Sequence, residues 1–233
     1  MQEIDRDFCL DHGREARKGV PEVVLAKGKE TDAVLEIAGR FLDGNGRVII
    51  SRVDSGLVAQ LRDRYGPDNI FEEYARAHLV IIKRPEFESP KTGGRVGVIT
   101  AGSSDVPVAE EARVVALEMG CDVTTAYDVG VAGIHRLFGP LSDMLENEVD
   151  AIIVAAGMDG ALPSVVAGLV GVPVIGLPTS VGYGLGGGGV TAILSMLQTC
   201  SPGLTVVNID NGVGAGATAA LIANRVARAR GGK

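Results

Sequence analysis

From Arg95 onward the chain alternates apolar runs of strand length with stretches of helix length, five times over. RVGVITAG (95–102) precedes VPVAEEARVVALEMG (106–120), DVTTAYD (122–128) precedes IHRLFGPLSDMLEN (134–147), and DAIIVAAG (150–157) precedes ALPSVVAGLVG (161–171). PVIGLPT (173–179) then precedes GVTAILSMLQTC (189–200), and LTVVNID (204–210) precedes GAGATAALIANRVARA (214–229). Strands joined through helices are linked by right-handed crossovers and run parallel. The predicted architecture is α/β, a doubly wound parallel sheet with helices on both faces. Ligands of such sheets sit outside the carboxyl ends of the strands. The candidate site therefore lies in the loops after Ala101, Asp128, Ala156, Thr179 and Asp210.

Ahead of this lies a shorter series. PEVVLA (21–26), RVIISR (47–52) and HLVIIK (78–83) read as strands; ETDAVLEIAGRFL (30–42) and SGLVAQLRDRYG (55–66) read as helices. RPEFESPKTGGR (84–95) interrupts the pattern with two prolines, two glycines and charge. The expected organisation is a small α/β N-terminal domain over 1–90 and a larger domain over 91–233.

Aromatic residues are only 4% of the chain and Trp is absent, so the core must be built from Val, Ile, Leu and Ala. The 33 glycines are interleaved with Val and Ile rather than gathered into a linker, which suits close approach of backbone to backbone or to a ligand. A net charge of −7 opposes broad nucleic-acid binding, which needs a basic footprint. Cys9, Cys121 and Cys200 form no CxxC pair, and the three histidines show no metal-ligand spacing. The charged start lacks the apolar core of a signal peptide. The apolar stretch 151–178 is punctuated by Gly157, Gly160, Pro163, Gly171 and Pro173, which fits buried strands better than a membrane span. A soluble, cytoplasmic protein is expected.

Five loops hold the candidate chemistry. TAGSSD (100–105) offers amides and hydroxyls to an anion; equally, Asp105 caps a helix whose first turn holds Pro107. YDVGVAGIHRL (127–137) contains His135, structural or chemical, and Arg136, whose forked donors suit phosphate or carboxylate. Asp159 is the single charge between Ala151 and Pro178; it either caps the helix near Ala161 or serves a site. TSVGYGLGGGG (179–189) lacks the lysine of a phosphate loop and reads as readily as a lid. Cys200 follows a helix, whose C-terminus does not lower a thiol pKa; it is a small hydrophobe, or a thiolate aided by some cation.

Together these loops resemble the purine-pathway carboxylases acting on aminoimidazole ribonucleotide, from about Gly94 to Arg228. SSD (103–105) is similar to their phosphate-binding turn and HR (135–136) to their catalytic His-Arg pair; VPVIGLP (172–178), ILSMLQ (193–198) and Pro202-Gly203 are also similar. Two segments depart from that pattern. MDGALPS (158–164) stands where those enzymes have a histidine loop, and TCSPG (199–203) stands where they have Met-Pro. Both segments, with VNIDNGVGAG (207–216), LDHGREARKGVPEVV (10–24) and GK (28–29), resemble the LarB family, the carboxylating synthases of nickel-pincer nucleotide biosynthesis. That family carries Glu where this chain has Asp159, and a further helical stretch ahead of this chain's start, so a trimmed or naturally short N-terminus is expected.

The resemblance implies carboxylation of the pyridinium ring of nicotinic acid adenine dinucleotide and hydrolysis of its phosphoanhydride. Carbon dioxide or bicarbonate would be co-substrate, and magnesium would accompany the phosphates. It implies catalytic roles for Cys200, Asp159 and His135. Substrate would be bound by Gly102, Ser103, Ser104, Asp105, Asp128, Arg136, Gly157, Met158, Gly182 and Gly184. A homo-oligomer is expected, since the purine relatives assemble as octamers, with no nucleic-acid or membrane partner. An aminoimidazole ribonucleotide carboxylase or mutase, and a nucleotide sensor without turnover, are the alternatives.

Overall fold

A computed structural model describes residues 8–231. The chain separates into two compact units between Glu88 and Ser89.

The first unit runs α1 (Arg14–Lys18), β1 (Val23–Leu25), α2 (Thr31–Asn45), β2 (Arg47–Ser51), α3 (Ser55–Tyr65), β3 (Ile70–Tyr74) and β4 (Leu79–Lys83). Its sheet has the order β1-β2-β4-β3 and is mixed: β1 and β2 are parallel, whereas β4 is antiparallel to both of its neighbours. Val48, Ile50, Val80 and Ile82 share one sheet face and pack with Val34, Ile37, Ala38 and Phe41 of α2 and Leu57 and Leu61 of α3. The Asp54 carboxylate accepts from the Leu57 N–H at 2.8 Å, capping α3. The charged 10–24 segment is tied down by ion pairs, among them Arg14 to Glu22 at 2.7 Å and Arg47 to Glu15 at 2.8 Å. Two elements here were absent from the sequence reading: the short helix α1 and the edge strand β3.

The second unit runs β5 (Arg95–Thr100), α4 (Val106–Glu118), β6 (Asp122–Ala126), α5 (His135–Glu146), β7 (Ala151–Ala156), α6 (Leu162–Ala167), β8 (Val174–Pro178), α7 (Val190–Leu197), β9 (Leu204–Val206) and α8 (Gly212–Gly231). All five strands are parallel, in the order β6-β5-β7-β8-β9. The interior strands β5, β7 and β8 are buried nearly throughout, as their unbroken apolar runs require. Ile152 and Val154 join Leu137 and Met144 of α5, Leu162 and Val166 of α6, and Ala192 and Met196 of α7 in one core. Helices α4 and α8 pack on each other and on the sheet. They approach closely because Gly216 has no side chain: a Cβ there would strike the carbonyl of Ala112 and lie 3.0 Å from Val115 Cβ. Several elements differ in extent from the sequence expectation, α7 among them, since it stops at Leu197. β9 stops at Val206, α6 is confined to Leu162–Ala167, and α8 begins two residues early because the Asn211 side chain accepts from Gly214 N–H at 2.8 Å. No helix among the described residues is long and apolar enough to cross a membrane.

Candidate active site

The strand order reverses at β5, so the helices leaving β5 and β7 part company and open a crevice at the carboxyl ends of these strands. One buried carboxylate organises that end. Asp105 follows β5 and is 4% exposed. Its Oδ2 accepts from Gly102 N–H at 2.8 Å and its Oδ1 from the Thr179 hydroxyl at 2.6 Å; the Gly157 N–H also donates to it. Three strand-end loops, after β5, β7 and β8, thus meet on one side chain. Burial pushes the Asp105 carboxyl above its ordinary range; the three donors pull it down, and the charge of Asp210 adds to the rise. Asp105 does stand at the start of α4, but its side chain caps nothing in that helix. With both oxygens engaged inside the protein it is a keystone of the loops.

Around it stand the groups that face outward. Ser103 and Ser104 are exposed in the turn after β5. Beyond β6, Asp128 donates its N–H to Thr100 Oγ1 at 3.0 Å and pairs through Oδ2 with Arg136 Nη1 at 2.9 Å. His135 opens α5 as an exposed side chain. Beyond β7, Gly157 cannot be replaced, since a Cβ would land on the Val181 carbonyl and 2.7 Å from Thr179 Oγ1. Met158 adopts φ +52° and donates its N–H to Val181 O at 3.0 Å. Asp159 is exposed and accepts from Ala161 N–H at 3.3 Å. The N-cap of α6 is Ala161, so Asp159 closes a turn and is not the helix cap.

Asp128, Met158 and Asp210 all have left-handed backbones (φ +59°, +52° and +55°), one in each of three strand-end loops. Non-glycine residues held so are costly and gather where function demands them. Asp210 accepts from Ser180 N–H at 2.8 Å, tying the loop after β9 to that after β8. The segment holding Gly182 and Gly184 folds as an irregular 3-10 turn over Gly184–Gly189 rather than an open loop.

Gly102, Ser103, Ser104, Asp105, Asp128, His135, Arg136, Gly157, Met158, Asp159, Gly182 and Gly184 thus all lie at the carboxyl end of the sheet. Cys200 does not. It is exposed in the connection from α7 to β9, at the amino end, where Ser201 lies beside Gly168 at the close of α6. Within one copy the thiol and Asp159 sit at opposite ends of the strands. Thr100, Thr179 and Asp210, which hold the loops together, were not singled out from sequence; as small polar residues at strand ends they carried only that positional signal.

Among the described residues no group of three or more His, Cys, Asp or Glu side chains could hold a metal ion.

A parallel sheet with its polar groups gathered at a strand-order reversal defines a small-molecule site of the doubly wound class. Comparison with known proteins narrows the class. Residues 95–231 match the AIR carboxylase family, and residues 3–84 match the LarB/PurE-like N-terminal domain. An uncharacterized protein of Methanocaldococcus jannaschii is 46% identical over 95% of this chain and 86% of its own length. The N5-carboxyaminoimidazole ribonucleotide mutase of Thermotoga maritima is 34% identical over 55% of this chain and 74% of its own. That of Pyrococcus abyssi is 32% identical over 55% of this chain and 71% of its own. The chain belongs to the AIR carboxylase family, as a LarB-type member related to the PurE-like carboxylases and mutases.

Proposed function

We propose that this chain carboxylates the pyridinium ring of nicotinic acid adenine dinucleotide and hydrolyses the phosphoanhydride, releasing pyridinium-3,5-biscarboxylic acid mononucleotide and AMP. The observation that carries this reading is Asp159: an exposed carboxylate at the strand-order reversal, beside Met158, in a loop without histidine. The N-terminal match over residues 3–84 supports it as well.

A pyridinium ring is electron-poor, whereas capture of carbon dioxide needs a carbon nucleophile. The Cys200 thiolate adds to the ring carbon para to nitrogen, forming a C–S bond and leaving a neutral enamine. The adjacent ring carbon attacks carbon dioxide and forms the new C–C bond. Asp159 takes the proton from that carbon, and expulsion of the thiolate restores the aromatic cation. Arg136, oriented by Asp128, and His135 face the phosphates, with the Ser103 and Ser104 hydroxyls and the turn amides beside them.

Because Cys200 and Asp159 lie at opposite ends of one sheet, this chemistry needs the thiol of one copy beside the carboxylate of another. Helix α7 supplies a surface for that assembly: Val190, Leu194 and Leu197 form an outward stripe, 54%, 59% and 64% exposed, three residues short of Cys200. A homo-oligomer is thus part of the proposal.

The second reading is an aminoimidazole ribonucleotide mutase, favoured by the 34% identity to such an enzyme over 55% of this chain. Incubation with nicotinic acid adenine dinucleotide, bicarbonate and magnesium, followed by mass analysis, separates the two. The expected products are the dicarboxylated mononucleotide and AMP, with aminoimidazole ribonucleotides unchanged. Turnover of the imidazole substrate alone overturns the proposal.

A further inference from the structure

One wall of the site carries no positive charge. From Gly157 to Gly189 the sole charged residue is Asp159. The same wall exposes large apolar side chains: Tyr183 is 79% exposed and Leu185 98%, with Met158 also at the surface. The segment that carries Tyr183 and Leu185 is held by backbone against Met158, the residue before Asp159. Met158 N–H bonds to Val181 O, and a Cβ on Gly182 would lie 3.4 Å from both Met158 N and its sulfur. Gly186 would come within 3.1 Å of Met158 O in the same way. Tyr183 stands between these two contacts, flanked by Gly182 and Gly184, both at positive φ. The Arg136 guanidinium and the neighbouring His135 ring stand apart from it, beyond β6. The crevice is therefore divided into an anion-binding part and a part built from an aromatic face, a thioether and a carboxylate.

We infer that Tyr183 is a substrate-binding residue whose ring stacks on a flat, cationic heteroaromatic ring presented to Asp159. A phenol face attracts a cation through its quadrupole, and it distinguishes a positively charged ring from a neutral ring of nearly the same shape. This rests on the function proposed above and goes beyond it by naming what recognises the charge of the reacting ring rather than its phosphates.

The test compares binding of oxidised and reduced nicotinamide adenine dinucleotide, by equilibrium dialysis, to wild type, Tyr183→Phe and Tyr183→Ala; the two probes share every phosphate and differ in ring charge. Wild type should favour the oxidised form, Tyr183→Phe should keep that preference, and Tyr183→Ala should lose roughly 2- to 30-fold of it. AMP should bind all three proteins equally. An oxidised-to-reduced ratio unchanged in Tyr183→Ala overturns the inference, and if sedimentation shifts instead, the ring is a subunit contact. That result leaves the proposed function standing when wild type still carboxylates its dinucleotide. A wild type that neither binds nor turns over any dinucleotide removes both.

Discussion

Asp159 meets solvent and has one backbone donor, Ala161 N–H at 3.3 Å, so its second oxygen is open to a substrate proton. Asp159→Asn keeps the turn acceptor and removes the base; carboxylation should fall by roughly two orders of magnitude or more while dinucleotide binding changes little. Asp159→Glu should retain activity. Initial rates and a dialysis isotherm check both, and an Asn variant with native turnover would return Asp159 to a purely structural role. Asp105 behaves differently because it is buried. Its pKa is raised, so the folded state holds the proton to higher pH than the unfolded chain does. Between the unfolded value, about 3.9, and the raised folded value, the native state binds more protons and stability falls as pH rises. Denaturant titrations across that window should show wild type losing stability relative to Asp105→Asn as pH increases. The Asn variant should be less stable throughout, by about 1–3 kcal/mol, since its amide cannot accept from both Gly102 N–H and Thr179. Equal slopes for the two proteins would show that folding leaves the Asp105 pKa unshifted. None of this was legible in TAGSSD, where Asp105 read as a phosphate ligand or a helix cap, because its partner Thr179 lies 74 residues away.

Legibility at the scale of elements follows burial. β5, β7 and β8 are covered on both faces, so their apolar runs announce them. β3 is an edge strand in which Glu72 and Glu73 adjoin and Ile70 is exposed, so IFEEY carries neither alternation nor an apolar run. α1 is five residues of mostly charged sequence between Gly13 and Gly19, too short for periodicity to register. In the sequence the α4–α8 contact shows only as a wealth of glycine suited to close backbone approach, with no sign of which elements meet. Its test is Gly216→Val, which forces a branched side chain against Ala112 O and Val115. Stability should drop by about 1–3 kcal/mol, read as a lower denaturation midpoint. Gly171→Ala is the control, since nothing lies within 4 Å of its added methyl. Equal midpoints for the two variants would mean that the helices part without cost.

At the scale of the whole molecule the decisive relation is between Cys200 and Asp159. Chain order alone already separates them, since a residue between a helix and the next parallel strand lies at the amino end, while one between a strand and its helix lies at the carboxyl end. Strand order and the exposed α7 stripe add what order cannot: the end-to-end separation cannot be closed within one copy, and an apolar face leads directly to the thiol. If the reaction uses both groups, each site draws its carboxylate and its thiol from different subunits. Asp159→Asn and Cys200→Ser should each be inactive alone, then, yet complement each other. Mixed under conditions that exchange subunits, random assembly gives about a quarter of sites both native groups, so carboxylation should recover to that order. Leu194→Glu with Leu197→Glu, placed on the exposed stripe, should reduce the sedimentation coefficient and abolish carboxylation together, because a monomer holds no complete site. Recovery in the mixture with no loss in the stripe variant would place the interface elsewhere. A mixture that stays inactive, with subunit exchange verified by a mass-tagged copy, would show that Cys200 and Asp159 do not share a site and would end the covalent mechanism.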